Sequence, residues 1–385
     1  MKKVFALALA LAMIFALCAC GSTQTSAPAS SSAPAESAAP EESAAPEESA
    51  APEESAAPEE SAAPEEAAAP ADDGKVYELK CSTFVSSGAP ELKLLQDFAD
   101  EVKEKTDGHV VITIYPGEQL GGYEQTFEET MRGTIEFGIN SAAATFDNRL
   151  SSTTLVGGIF KDFDTVKKII AKDSTLFNTY AEAMDGIGLK FLGFFPGGYY
   201  NLIFNTDVPE NYADPTVAKD SVIRVNTWEI TDKTIQAYNY RTATLPGSEL
   251  YTGLETGIVD GCIGLDYGFV LSAFSDVVKN IVETRTMLSC DCVFMNKALF
   301  DSMPAEYQQI IEECSIAFQN NCVDYQSTYE ATAKAALQEK GIGIVELTAE
   351  EQAAMDQALQ EKVWPYIAEQ FGQEFLDGVI KDAGL

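Results

Sequence analysis

Arg224 is the side chain in this sequence best suited to bind an anionic ligand. It lies in the run Ser221-Val-Ile-Arg-Val-Asn226, which alternates like a β-strand, so Arg224 faces away from Ile223 and Val225. A guanidinium offers two parallel N–H donors that match the two oxygens of a carboxylate. An arginine on an exposed face, or one paired with a nearby acid, would show the same pattern. The residues alone therefore leave both roles open.

The sequence lacks most of the residue patterns on which enzymes depend. His109 is its only histidine, so no serine-hydrolase triad can form, and there is no GxSxG elbow, Walker sequence or GxGxxG loop after a strand. Acidic pairs are frequent, which leaves a glycosidase open, but no pair stands out from the others. We therefore expect no catalysis and no cofactor.

Six cysteines lie beyond the amino-terminal region, and their spacing favours neither a metal site nor a disulfide framework. No CxxC pair occurs among them. Cys290 and Cys292 would lie on one face of a strand, about 7 Å apart, which is poor disulfide geometry. A domain of about 300 residues has enough core to fold without disulfides. We expect no metal, and the redox state of the thiols stays open.

The elements that position these side chains follow a strand–helix–strand pattern. Residues 77–84 alternate like a strand, residues 90–105 have apolar positions at helical spacing, and residues 110–115 form the next strand. The pattern continues with a second helix over residues 123–132 and a third strand over residues 134–140. This order predicts an α/β fold with a parallel sheet.

A helix–glycine–strand pattern occurs twice, 124 residues apart. The segment 131–139 is echoed by 255–263, with Gly133 and Gly257 at the helix ends. Ligands of open α/β sheets bind where such strands end, so the repeat predicts two α/β lobes that share a crevice. Simple turn chemistry would explain the polar residues there equally well. The candidate ligand residues at these strand ends are Phe84 and Ser86 after the first strand, Asn140 and Ser141 after the third, and Gly264 and Asp266 after the echo.

The order of several short motifs resembles the solute receptors of tripartite ATP-independent periplasmic (TRAP) transporters, of the DctP-like, dicarboxylate-receptor type. The likeness covers nearly all of residues 77–380. The motifs are Leu192-Gly193 before an aromatic-rich loop, Ile223-Arg224-Val225, Ser248-Glu249-Leu250-Tyr251, Val259-Asp260-Gly261, Asn296-Lys297 and Asp301-Ser302-Met303-Pro304.

This resemblance implies a periplasmic-binding-protein-like fold. Two α/β lobes would be joined by crossing strands and spanned by a long helix over residues 304–340, with the ligand held between lobes that close by a hinge movement. Lobe I would comprise residues 75–201 and about 290–325. Lobe II would comprise residues 202–289 and about 326–385.

The resemblance also implies roles for residues of the crevice. It places Arg224 against the ligand carboxylate. Tyr200 stands where members of the family often carry a second arginine, and Gly264, followed by Asp266, stands where they carry an asparagine. One cation fewer, with an acid nearby, favours a monocarboxylate with an apolar or aromatic body over a large dianion, and either a hydroxyl or an amine on that body would suit Asp266. Tyr199 and Trp228 are further candidates for the pocket wall, although a buried tryptophan is as often part of the core.

The amino end predicts export and a lipid anchor. Lys2 and Lys3 precede a 14-residue apolar stretch, residues 4–17, which is too short to span a membrane. The sequence Leu-Cys-Ala-Cys-Gly that follows resembles a bacterial lipobox and makes Cys20 the expected site of lipidation. We expect a signal peptide over residues 1–19 and a mature chain tethered to the cell membrane, on the cell surface or in a periplasm.

Residues 20–74 predict a disordered spacer. The unit Pro-Glu-Glu-Ser-Ala-Ala starts at Pro40, Pro46, Pro52 and Pro58, and no aromatic or branched aliphatic side chain offsets the entropy of ordering the backbone. The whole chain carries 60 acidic and 25 basic residues, a formal net charge of −35. So acidic a protein is not expected to bind nucleic acid.

These patterns together predict an extracytoplasmic, lipid-anchored, monomeric receptor. It would capture a small organic acid and deliver it to the membrane subunits of a TRAP-type secondary transporter. A receptor for an ABC importer or a sensor kinase would share the lobes, the tether and the crevice. A structural surface protein would share the spacer.

Overall fold

The computed structural model describes residues 74–154 and 156–385. Cys20, the predicted signal peptide and the predicted spacer up to residue 73 lie outside the described residues. The strands are β1 (Tyr77–Thr83), β2 (Val110–Tyr115), β3 (Phe137–Asn140), β4 (Leu189–Phe204), β5 (Val222–Val225), β6 (Arg241–Thr244), β7 (Gly261–Cys262), β8 (Asn280–Asn296) and β9 (Gly343–Glu346). The helices are α1 (Glu91–Lys105), α2 (Tyr123–Arg132), α3 (Phe163–Ile169), α4 (Thr175–Gly186), α5 (Glu229–Ala237), α6 (Leu250–Glu255), α7 (Tyr267–Phe269), α8 (Lys297–Asp301), α9 (Ala305–Glu339), α10 (Ala349–Lys362), α11 (Trp364–Phe371) and α12 (Gln373–Asp382).

The strands of the described residues form one sheet with two parallel halves. Its order is β2-β1-β3-β8-β4-β7-β5-β6, and β9 pairs with β8. β1 is parallel to β2 and β3, and β5 is parallel to β6 and β7. The long strands β4 and β8 run antiparallel to each other between these halves. The predicted α/β class with parallel strand–helix–strand units is confirmed.

Local sequence explains the first unit of each half. In α1 the residues Leu95, Phe98, Ala99 and Val102 are buried, because they recur at the spacing of one helical face. Gly133, just after α2, has a φ of 79°, a left-handed conformation that closes the helix and that glycine adopts at little cost. Gly257 has a φ of 73° in the echo. The two turns therefore redirect the chain into β3 and β7 in the same way.

The helix α9 is the predicted long helix. It has 35 residues and is therefore about 52 Å long. Phe318 packs in a core that also contains β1 and α1, Val323 in a core with β4 and β5, and Leu337 in a core with α6 and α7. One rigid element thus contacts the cores of both halves. None of the helices in the described ranges is both long and apolar enough to cross a membrane.

Candidate functional site

Arg224 is a buried cation on the central strand of the second half-sheet. β5 is flanked by β6 and β7, with Arg224 opposite Ala243 and Cys262. Only 6% of its surface is exposed. Its Nε donates to the carbonyl oxygen of Leu245 at 2.9 Å, and no carboxylate of the described residues forms an ion pair with it. Burial lowers the pKa of the guanidinium, and the nearby Cys262 thiol opposes that shift.

The bond to Leu245 shows which edge of the sheet the guanidinium occupies. Leu245 follows β6 directly, so the Arg224 head lies where the parallel strands β5 and β6 end. At the end of the neighbouring strand β7, Gly264 has a φ of 102°, and a Cβ built there would meet no atom within 4 Å. Open space and a buried cation therefore adjoin at the carboxyl edge where the sequence predicted a ligand.

Asp266 lies at the same edge and links it to the crossing strand β4. Its Oδ1 accepts the backbone N–H of Phe269 at 2.8 Å and so caps α7. Its Oδ2 accepts the N–H of Gly198 on β4 at 3.3 Å. Burial raises the pKa of this half-buried carboxyl, although the backbone N–H donors oppose the rise. Asp266 is thus held in place by both elements.

Tyr200 and Asp291 bring β4 and β8 to the same site. The Oγ of Ser141, just after β3, donates to Oδ1 of Asp291 at 2.5 Å. Burial raises the pKa of Asp291 to about 6, and the charge of Asp266 adds to the shift. Burial also raises the pKa of the Tyr200 phenol well above its usual value. The negative charges of Asp291 and Asp266 add to this rise. Asp291 therefore forms one cluster with Ser141, Tyr200 and Asp266, each of which lies close enough to affect its charge or to be affected by it.

Asn140 and Phe84 are positioned by each other at the ends of β1 and β3. The Asn140 Oδ1 accepts the backbone N–H of Phe84 at 2.9 Å, and its Nδ2 donates to the Ser82 Oγ at 2.8 Å. The amide therefore ties the two strands together. The Phe84 ring is 42% exposed and lies 6.3 Å from the Phe195 ring, and the Ser86 carbonyl accepts a turn hydrogen bond from Ala89.

Tyr199 and Trp228 both contribute to the main hydrophobic core. Tyr199 is 1% exposed and packs at 4.9 Å against the ring of Phe163 in the main core, with the Arg285 guanidinium 5.2 Å above it. Trp228 is half-buried against the same core, at the start of α5. The structure brings Ser141, Tyr200 and Asp266 together around Asp291. Gly264 and Arg224 lie at the carboxyl ends of the neighbouring strands β7 and β5, and Tyr199 lies in the core. The ligand-binding roles of all these residues stay predictions.

Sequence reasoning missed Asp291, and it missed three residues on the Asp266 side of the site, Glu91, Tyr325 and Tyr329. Glu91 is the first residue of α1. Burial raises the pKa of its carboxyl, and the charge of Asp266 adds a smaller contribution. Tyr325 and Tyr329 on α9 stack with ring centroids 5.2 Å apart and an interplanar angle of 16°. A signal for Asp291 was present, because it is an acid inside the otherwise uncharged run 286–296. None of the six cysteines in the described residues forms a disulfide bond.

Comparison with known proteins identifies the family. Residues 81–370 match the model of the DctP family, "Bacterial extracellular solute-binding protein, family 7". The chain is 22% identical over 308 residues to the C4-dicarboxylate-binding periplasmic protein DctP of Shewanella loihica. The aligned region covers 79% of this chain and 89% of that protein.

Solved structures share the fold. A TRAP periplasmic solute-binding protein from Ochrobactrum anthropi superposes with a TM-score of 0.72 at 24% identity, covering 80% of this chain and 95% of that one. Another from Desulfovibrio salexigens, with bound orotic acid, gives 0.70 at 24% identity, covering 80% and 99%. The predicted two-lobed fold is confirmed. The chain belongs to family 7 of the bacterial extracellular solute-binding proteins, the DctP-like receptors of TRAP transporters.

Proposed function

We propose that this protein captures a small organic acid between its two lobes and delivers it to the membrane subunits of a TRAP-type secondary transporter. One observation carries the proposal: Arg224 is a buried guanidinium without an acidic partner in the described residues. Burying a cation is costly unless an anion or several hydrogen bonds offset the loss of water. A single bond to the Leu245 carbonyl leaves the terminal nitrogens available for a carboxylate.

The position of Arg224 supports binding rather than a structural role. Other arginines of this acidic protein form ion pairs, such as Arg132 with Glu128 and Arg149 with Asp147, yet Arg224 forms none within the described part of the chain. It lies at the carboxyl edge of its half-sheet, beside the open space at Gly264. Ligands in open α/β sheets bind at this edge. A relative, the DctP protein of Shewanella loihica, is described as binding C4-dicarboxylates.

The function does not require catalysis. Family and fold are those of solute receptors. We propose that the protein acts as a monomer, catalyses no reaction, and is anchored to the extracytoplasmic face of the cell membrane by a lipid on Cys20. The lipobox-like sequence and the Pro/Glu-rich repeat support this tether. Incorporation of labelled palmitate that is lost in Cys20→Ser would test the anchor.

Native mass spectrometry of the purified protein tests the proposal. We expect the folded protein to carry a small carboxylic acid that is released on denaturation, and we expect Arg224→Ala to be isolated empty. Arg241→Ala provides a matched control, because Arg241 is an exposed arginine on the neighbouring strand β6. An acid that stays bound to Arg224→Ala as well as to the Arg241→Ala control would contradict the role of Arg224.

A further inference from the structure

The site contains acids that no base neutralises. Asp266 and Asp291 are half-buried, each lies within electrostatic range of the other, and Glu91 lies within range of Asp266. None of the three forms an ion pair with a lysine, arginine or histidine of the described residues. Among the described residues, the hydrogen bonds to Asp291 and Asp266 come from the Ser141 hydroxyl and from backbone N–H groups. The acids therefore keep a negative potential on this side of the site.

Arg224 is an independent sign of a ligand at the same edge. It is more than nine-tenths buried, and its terminal nitrogens have no acidic partner in residues 74–154 and 156–385. Strand β5 lies beside β7, and β7 leads through Gly264 to Asp266. Arg224 on β5 pairs with Cys262 on β7, and Asp266, the first of the acids, lies four residues after Cys262. The site thus has a buried cation on one strand and acids that follow the neighbouring strand. An anionic group and a cationic group on one ligand would complement this arrangement.

Aromatic residues border the acids. Tyr329 packs against α7, because a Cβ on Gly268 would lie 3.0 Å from its Cε1. The stacked rings of Tyr325 and Tyr329 lie within electrostatic range of Glu91. Tyr200 places a neutral phenol beside Asp291. The faces of such rings attract a cation, and their apolar surface suits an alkyl or aromatic body.

We infer that the ligand carries one carboxylate and one protonated amine, the carboxylate bound by Arg224 and the amine by Asp266 and Asp291. This inference rests on the proposed function, since it assumes that Arg224 binds the carboxylate. A second carboxylate would face two acids without a compensating base and would be rejected. A protonated amine would instead gain charge-assisted hydrogen bonds to them.

The pH dependence of binding follows from the groups around Asp291. These are Ser141 after β3, Tyr200 on β4, Asp266 before α7, and Cys290 and Cys292 on β8 itself. None is basic, and the pKa of Asp291 is raised to about 6. Below pH 6 its carboxyl becomes neutral and can no longer attract an amine. Affinity for an amino acid is therefore expected to fall between pH 7.5 and pH 5, while affinity for an amine-free acid is not.

The test uses the full purified chain and a panel of matched probes. Each amino acid is compared with the amine-free monocarboxylate of the same skeleton and with C3–C6 dicarboxylates, by thermal shift and then by calorimetry. We expect the best amino acid to bind at least about tenfold more tightly than its amine-free match, as expected for a charge-assisted bond. We expect Asp291→Asn and Asp266→Asn to reduce that ratio to about threefold or less, and Asp97→Asn, an exposed acid of α1, to leave it unchanged.

The outcomes separate this inference from the proposed function. A dicarboxylate or an amine-free acid that binds as tightly as any amino acid, and whose binding Arg224→Ala abolishes, would overturn the inference and leave the proposed function intact. A panel in which no acid binds would contradict both. Should Asp266→Asn fail to fold, since Asp266 caps α7, Asp291→Asn and the pH dependence still decide the question.

Discussion

The Oγ of Ser141 donates a hydrogen bond to Oδ1 of Asp291, which connects the carboxyl end of β3 to the middle of the crossing strand β8. The two residues are 150 positions apart in the chain. The bond holds an acid at the junction of the two half-sheets, next to Tyr200 and within range of Asp266. An acid retained in such a position at a cost in stability is a candidate for ligand binding rather than for packing.

Asp291→Asn is expected to stabilise the ligand-free protein at neutral pH. The folded state binds the Asp291 proton more tightly than the unfolded state does, because the pKa rises from 3.8 to about 6. The free energy of unfolding therefore falls as pH rises through this range, and the loss is complete above about pH 7. Asparagine has no charge to bury and can still accept the Ser141 bond.

The gain should be about 1–3 kcal/mol at pH 7.5 and near zero at pH 4, where the native aspartate is protonated. Urea unfolding at both pH values measures it. The exposed Asp97→Asn serves as the control and should show no such gain. Equal stability of Asp291→Asn and the native protein at pH 7.5 would mean that burial of the Asp291 charge has no cost.

Gln319→Leu is expected to destabilise the protein by about 2–4 kcal/mol, because it leaves two buried backbone groups unpaired. The Oε1 of this buried side chain accepts the N–H of Phe194 on β4 at 2.8 Å, and its Nε2 donates to the carbonyl of Ile170 at 2.9 Å. Gln309→Leu, at an exposed position on the same helix α9, should change stability by less than about 0.5 kcal/mol. Urea unfolding of both variants checks the difference, and equal effects would refute it.

Gly198→Ala is expected to weaken ligand binding and to lower the melting temperature. An added Cβ would lie 2.8 Å from the Cβ of Asp266, so the acid or β4 must move. That movement breaks the N–H bond from Gly198 that positions the carboxyl. A tenfold or greater loss of affinity is expected, about 1.4 kcal/mol. Gly186→Ala, at the end of α4 with open space around it, should leave the affinity unchanged and should not lower the melting temperature. Native affinity in Gly198→Ala would contradict the placement of Asp266.

Local sequence was enough to predict the repeated units of the fold. The α1 stripe of Leu95, Phe98 and Val102, the glycine-closed turn at Gly133 and the proline-free run of α9 each depend on residues close together in the chain. Residues 110–115 and 123–132 have the predicted bounds, while β3 begins at Phe137 rather than at residue 134. The three intervening residues form a turn after α2, where Thr134 and Ile135 both bond back to Glu129.

The remaining features of the site depend on long-range pairing. Tyr199 and Tyr200 are adjacent in a glycine-containing loop, so both were predicted to line the pocket. The register of β4 against β8 shifts between Pro196 and Tyr199 and again after Tyr200. These irregularities leave Tyr199 in the core and Tyr200 beside Asp291. No local pattern indicates where such shifts fall, and the proximity of Asp291 to Ser141 depends on the same pairing.

Calorimetric titration of the released acid into Arg224 variants tests the central claim most directly. A buried guanidinium that binds the carboxylate with two donors predicts a loss of affinity of about 100-fold or more in Arg224→Ala, or about 3 kcal/mol, and a partial recovery in Arg224→Lys. Arg241→Ala should retain native affinity. An unchanged dissociation constant in a folded Arg224→Ala protein would contradict the account.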